Sequence, residues 1–374
     1  MRLSPALSSY LDFMRFTAAF AVLLAHMKDD GFAVGWIPLA GFSHEAVMIF
    51  FVMSGFIIHT STAARGWNPR EYVVARASRV YSVALPAVIF STGLAMLAAW
   101  VAPQVALAIP MYRPFAWRDV AAALLFFTES WPSWTGFDAY LSLNGPYWSL
   151  CFEVWYYVIF GLYVFCRSAW RWVLPAIAAV VAGPAIMVLF PIWLMGAWLA
   201  SRWDRLPRPG LPAARAWFAA SITVIVLTSV LDFDEDIKRV LHNTVPGFWR
   251  LETSQRLVTD HLLGAAVVVN IWAFPSIGER VQQWFARHRA AMAAWAGFSF
   301  TLYLFHRPIS SVAGHALQQA GGHGVGVGVL ALVLIVGCCW LISFVTERRL
   351  PAWRRAFTRL VAPKGAVATA GAVR

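Results

Sequence analysis

The chain has 374 residues, of which 60% are hydrophobic and 13% charged, and its net charge is +12. Soluble domains are about half apolar and about a quarter charged, so this composition excludes one water-soluble core and points to lipid as the solvent. The positive charge forms no Lys/Arg block with interleaved aromatics, which excludes a nucleic-acid reading.

Residues 16–25 imitate the apolar core of a signal peptide. Asp12 and Arg15 stand just before them and no small-residue cleavage site follows, so this segment is expected to remain. A spanning helix needs about 20 mostly apolar residues. Such windows cover residues 10–27, 46–61, 80–101, 147–166, 216–231, 257–274, 292–312 and 325–345. Residues 172–201 carry Gly183-Pro184 in their middle. Proline breaks the helical ladder, which predicts a tight hairpin of two short spans. The expected fold is therefore all-α, a polytopic membrane helix bundle of about ten crossings. Residues 120–128 are apolar but too short to cross, and re-entrant, interfacial and buried placements stay open. Cys151, Cys166, Cys338 and Cys339 lie in apolar segments without metal-site spacing and read as small core residues. The 20 Trp fit membrane–water interfaces.

The loops set the orientation. With a cytoplasmic N-terminus, the inner segments are 1–9, 62–79, 167–171, 202–215, 275–291 and 346–374, and they hold 21 Lys/Arg. The outer segments hold seven, and Arg15 and Arg307 lie within spans. Cytoplasmic loops collect Lys and Arg, so both termini are expected in the cytoplasm. One membrane domain is expected over residues 1–351. A basic, then flexible, Gly/Ala-rich tail follows over 352–374.

Ionisable groups at membrane depth are expensive and mark function. Arg15 and His26 share one face of the first span, because eleven residues make about three turns, about 16 Å of rise. His44 and Glu45 begin the second span, Glu153 lies near the outer end of 147–166, and His306 lies in the outer third of 292–312. Topology thus puts His26, His44, Glu153 and His306 at similar depth, as in a shared polar pocket. Glu153 stands among Trp148, Phe152, Trp155 and Tyr156, where a carboxylate must pair, stay protonated or face water. The remaining histidines read as interfacial or loop residues.

Five landmarks in order resemble the acyltransferase-3 family of membrane acyltransferases. "LDFMRFTAAFAVLLAH" (11–26) is similar to its Arg-x10-His opening. "AVMIFFVMSGFII" (46–58) resembles its Phe-Phe-x-x-Ser-Gly-Phe span. "REYVVARASRVYSVALP" (70–86) looks like its basic loop and Arg-x-x-Arg. "YWSLCFEVWYY" (147–157) resembles its Trp-Ser-Leu-x-x-Glu signature, and "FSFTLYLFHRP" (298–308) its Tyr-x-Leu-x-His-x-Pro segment. Two departures stand out. Met48 and Ile49 precede the Phe-Phe pair where relatives often carry an acid, and no hydrolase-like domain is expected beyond the membrane domain.

The resemblance implies transfer of an acyl group, often acetyl from acetyl-CoA, to a sugar hydroxyl, by a protein of the bacterial inner membrane. Acyl-CoA is then a co-substrate, no cofactor is permanently bound, and no metal is expected. Arg15, Arg76 and Arg79 are the candidate CoA-phosphate ligands, since guanidinium forks match phosphates. An alcohol needs a base, and His suits that work near neutral pH. His26 is the candidate base, with Glu153 orienting its imidazole or binding the acceptor. Tyr303 and His306 polarise the thioester carbonyl or bind acceptor, and Asn144 and Trp148 line the acceptor side. Direct transfer and an acyl-histidine intermediate both stay open. A proton-coupled transporter and a non-catalytic scaffold are the rival readings. Ten spans with buried ionisable groups suit a carrier, although no pair of related halves is visible.

Overall fold

Helix α1 (Pro5–Asp29) starts where the Ser4 side chain accepts the Leu7 N–H at 3.2 Å, with Pro5 at its first position. In the computed structural model, which describes residues 3–131, 138–231 and 233–361, the chain is helical and holds no strand among those residues. Helix α2 (Ser43–Ala64) and helix α3 (Pro69–Val101) follow. The segment expected as a basic loop before the third span is helical from Pro69 onward. Asn68 caps it by accepting the Glu71 N–H at 3.2 Å, so Arg76 and Arg79 ride on α3 and share a face.

Short helices α4 (Pro103–Ala108) and α5 (Trp117–Leu124) lead back into the bundle. Residues 120–128 do not cross: Ala122, Ala123, Phe126 and Thr128 are buried, while Leu125 and Phe127 are exposed. Irregular backbone at membrane depth must be satisfied by protein. Here Tyr147, Tyr81 and Trp155 donate to the carbonyls of Ala123, Leu124 and Phe126, at 3.0, 3.0 and 2.9 Å. Helix α6 (Tyr147–Phe165) starts from Asn144 and Pro146, both buried, so its N-terminus is sunk in the bundle.

Helices α7 (Trp170–Ala182) and α8 (Pro184–Arg202) break at Gly183, where φ is 93°. Only glycine takes that conformation at no steric cost, as the Gly-Pro pair predicts. Helix α9 (Leu211–Val230) packs on helix α11 (Leu257–Ala273), with α10 (Phe233–Thr244) between them in the chain. Short α12 (Glu279–Arg287) and α13 (Arg289–Ala296) precede α14 (Ser299–Gln319). The expected span 292–312 is therefore broken near Gly297. Glu347 accepts the Phe300 and Thr301 N–H groups at 3.2 Å each, supplying an anion where a helix N-terminus favours one. Helix α15 (Val325–Ser343) and helix α16 (Leu350–Val361) close the chain. Helix α16 packs on α3, so the basic part of the expected tail is docked, while residues 362–374 lie outside the described residues.

Among the described residues, eight segments are long and apolar enough to cross a membrane. The two remaining predicted spans are α7, which has only 13 residues, and α14, which has 21 but carries His306, Arg307 and several serines.

Helices α2 and α8 make the closest crossing. A Cβ on Gly55 would collide with the Trp193 carbonyl oxygen, and one on Gly196 with the Val52 carbonyl oxygen. Small residues let backbones approach this way in membranes. Gly55→Leu or Gly196→Leu is expected to destabilise by about 3 kcal/mol or more, since neither backbone can yield. Gly93→Ala, in open space, should leave stability unchanged. Thermal unfolding of the detergent-purified variants checks both.

Candidate active site

A cavity of about 700 Å³ opens among α1, α2, α3, α6, α14 and the segment before α16. Helical spacing builds its polar wall. Ser149, Glu153 and Tyr157 follow at intervals of four on α6, so they stand on one face. Arg76 and Arg79 face them from α3, and Asp12 and Arg15 enter from α1. Six arginines line the cavity (Arg15, Arg65, Arg76, Arg79, Arg348 and Arg354) against three carboxylates (Asp12, Glu153 and Glu347). That excess suits a polyanion.

The arginines are not equivalent. Arg79 pairs with buried Glu347 at 2.7 Å, and Arg15 sits 3.5 Å from Asp12. Arg354 pairs with Glu71 at 2.6 Å on the surface. Arg76 has no carboxylate partner among the described residues and lies 6.0 Å from the Tyr157 ring centroid. Its guanidinium fork is left for an incoming anion, and Arg65 and Arg348 likewise pair with no carboxylate among the described residues. Phe50 and Tyr303 meet edge to face across the cavity, 5.5 Å between centroids. At that end the Tyr303 and Ser149 hydroxyls share a 2.6 Å hydrogen bond, and the Tyr303 hydroxyl also donates to the Pro146 carbonyl at 3.3 Å.

Tyr303 leads to two histidines. Its ring is 6.3 Å from that of His306, which stacks on His26 at 5.4 Å. His306 is fully buried, and its Nδ1 lies 2.8 Å from the Leu302 carbonyl oxygen. That bond assigns the proton to Nδ1 and leaves Nε2, which has no partner among the described residues, as a lone pair. Asp29 stands beside His26, with Oδ2 3.4 Å from Nδ1. The Arg307 Nη1 donates to the His26 carbonyl at 2.9 Å and pairs with Asp30 at 3.1 Å. Ser310 and Ser311 donate to the same carboxylate at 2.6 and 3.1 Å.

The expected constellation is thus divided. Arg15, Arg76, Arg79, Glu153 and Tyr303 line one cavity, whereas His26 and His306 form a pair beyond Tyr303. The shared pocket of four does not form. Glu153 sits with the arginines because the sunken start of α6 carries it inward, and the carboxylate beside His26 is Asp29. His44 binds Asp260 at 2.6 Å, and Glu45 binds Arg256 at 3.2 Å, in a separate network. Glu45 therefore does not replace the acid missing before the Phe-Phe pair. Asn144 and Trp148 do not line the cavity. The Asn144 amide donates to Ser91 Oγ and to the Leu304 carbonyl at 3.0 and 2.9 Å, and Trp148 meets Phe51 and Phe152 edge to face.

Sequence reasoning missed Asp29, Ser149 and Glu347. Asp29 was visible three residues after His26, and Ser149 four before Glu153, each on the same helix face. Glu347 carried no local signal. Among the described residues, no cluster of three His, Cys, Asp or Glu side chains could hold a metal ion.

A family model described as an acyltransferase domain matches residues 8–344. The chain belongs to the acyltransferase-3 family. Several of its helices are long and apolar enough to cross a membrane. The Exopolysaccharide production protein ExoZ of Rhizobium meliloti (strain 1021) is 29% identical over 209 residues, covering 50% of this chain and 61% of that protein. The chain thus spans about three fifths of that relative's length. No solved structure matches.

Glu347→Gln leaves Arg79 uncompensated and weakens the α14 cap, which should lower stability by about 3 kcal/mol. Glu71→Gln breaks only the exposed pair with Arg354 and should cost about 0.5 kcal/mol. Parallel melting curves distinguish the two.

Proposed function

We propose that this acyltransferase moves an acyl group, acetyl foremost, from acyl-CoA to a hydroxyl of a carbohydrate, a cell-envelope or exported glycan. The bacterial inner membrane is its proposed location. The observation that carries this reading is the arginine-lined cavity that ends at Tyr303, next to the stacked His26 and His306. A CoA nucleotide carries several phosphates, and the mouth offers guanidinium groups on Arg65, Arg76 and Arg348. The long, thin pantetheine arm suits the path past Phe50 and Tyr157. The name of the relative speaks of exopolysaccharide production, which supports a glycan acceptor here.

His26 is the base. Asp29 beside Nδ1 favours a proton there and leaves Nε2 to accept one. The acceptor hydroxyl gives its proton to that nitrogen as its oxygen bonds to the acyl carbon. The carbon–sulfur bond then breaks, the pair leaves on sulfur, and the imidazolium returns the proton to the CoA thiolate. His306 in its assigned tautomer has no hydrogen to offer the thioester carbonyl, so polarisation falls to the Tyr303 hydroxyl, whose proton turns from the Pro146 carbonyl to the thioester oxygen. The unpartnered His306 Nε2 favours one variant of this route, a transient acyl-histidine that the acceptor then attacks. Glu153, among the arginines, belongs to the donor side.

Free-CoA release by protein purified into lipid, with oligosaccharide acceptors, tests the assignment. His26→Ala should reduce turnover at least a hundredfold while the melting temperature holds. Arg76→Gln should raise the acyl-CoA KM about tenfold with little change in kcat. Equal turnover by wild type and His26→Ala contradicts the base assignment. Solute uptake without acyl transfer contradicts the acyltransfer reading and favours a carrier.

A further inference from the structure

A second cavity, of about 360 Å³, lies at the other end of α3. Its wall at Ala95 is 16 residues beyond Arg79, about 24 Å along the helix. Two irregular segments build the rest. They are zipped together where the Arg113 N–H donates to Ser142 Oγ and the Leu143 N–H donates to the Met111 carbonyl, each at 3.0 Å. The Arg113 guanidinium lies 5.1 Å from the Tyr140 ring centroid and binds Asp138 at 2.8 Å. Phe115 adds a third ring beside Tyr112 and Tyr140, and Asp119 is buried at the wall with one oxygen taken by Arg118.

The Tyr112 and Tyr140 hydroxyls meet no hydrogen-bond partner among the described residues. A phenol both donates and accepts. The cavity therefore offers ring faces, two free hydroxyls and a carboxylate oxygen. A pyranose presents the complement: a face of C–H groups and a rim of hydroxyls that donate and accept. The volume lies near the lower end of ligand pockets, about 300–1,000 Å³, and suits one sugar ring of a longer chain.

The position ties this cavity to the histidines. Burial pushes the Tyr140 phenol up to about 12, and the Arg307 charge works against that shift, which places Arg307 within electrostatic reach. Arg307 holds the His26 carbonyl. Tyr112 and Val312 pack on one small apolar cluster, so the same helix that carries His306 and Arg307 backs the cavity. From Tyr140 the chain runs directly to Ser149, the partner of Tyr303 in the arginine-lined cavity. The two cavities thus lie at opposite ends of α3, one lined by the start of α14 and the other backed by Val312 farther along it.

We infer that the cavity of Tyr112, Arg113, Asp119 and Tyr140 is a carbohydrate subsite that seats a pyranose of the acceptor glycan. The inference rests on the acyltransfer to carbohydrate proposed above. The paired Tyr112→Phe and Tyr140→Phe variant tests it, since both changes keep the rings and remove only the hydroxyls. The probe is the oligosaccharide mixture released by mild acid from the exopolysaccharide of cells expressing the chain. Tryptophan fluorescence of the lipid-reconstituted protein reports binding, and labelled acyl transfer reports turnover. The double variant is expected to raise the oligosaccharide Kd and KM about tenfold. The acyl-CoA KM and the slow acyl-CoA hydrolysis without acceptor should not change. Transfer to oligosaccharide at an unaltered KM overturns the subsite and leaves the proposed function standing. Wild type that hydrolyses acyl-CoA but neither binds nor acylates the oligosaccharides overturns both.

Discussion

Polar groups at membrane depth must find partners inside the protein, because hydrocarbon offers none. The Asp30–Arg307 pair shows what that demand builds. Arg307 lies in the middle of α14, and its charge is met by Asp30 at the end of α1, itself held by Ser310 and Ser311. The second product of the same guanidinium is its grip on the His26 carbonyl. Satisfying one buried charge thereby brings the outer ends of α1 and α14 together and stacks His26 on His306. Glu347 plays the matching part at the other end, where it answers Arg79 and caps the start of α14. The helix that carries Tyr303 and His306 is capped at its start by Glu347 and held at its middle by the Asp30–Arg307 ion pair.

Between these pins the chemistry is ordered along a line. Arginines come first, then the Ser149–Tyr303 hydroxyl pair, then the two imidazoles. In the proposed reaction the donor phosphates stay among the arginines while the reacting thioester lies at the far end of the cavity. No group of the donor needs to cross the layer of His26. In the same proposal the acceptor approaches from the side of Tyr140.

Much of this was legible in the chain. The eleven-residue spacing of Arg15 and His26, the break at Gly183-Pro184 and the apolar windows all follow from local periodicity. So did the family, because five motifs fell in order along one topology. Depth was not legible where the backbone departs from simple crossings. Glu153 was expected beside His26, but the buried start of α6 moves it inward to the arginines. That start is held by Tyr147 on the Ala123 carbonyl and by the Asn144 amide on Ser91 and Leu304, contacts between residues far apart in sequence. The N-terminal half of α3 hid as a basic loop because its arginines suppress the apolar signal, although Asn68-Pro69 is a good helix start. Glu347 was illegible because its partners, Arg79 and the α14 backbone, meet it only in the folded bundle.

In the proposed reaction donor and acceptor reach the histidine pair from opposite ends of the bundle. Proteoliposomes of established orientation, with labelled acyl-CoA sealed on one side and oligosaccharide acceptor on the other, test it most directly. Acceptor labelling is expected when acyl-CoA is on the side of Arg76 and the acceptor is opposite, and none when the two are exchanged. Labelling only when both substrates share one side would contradict it.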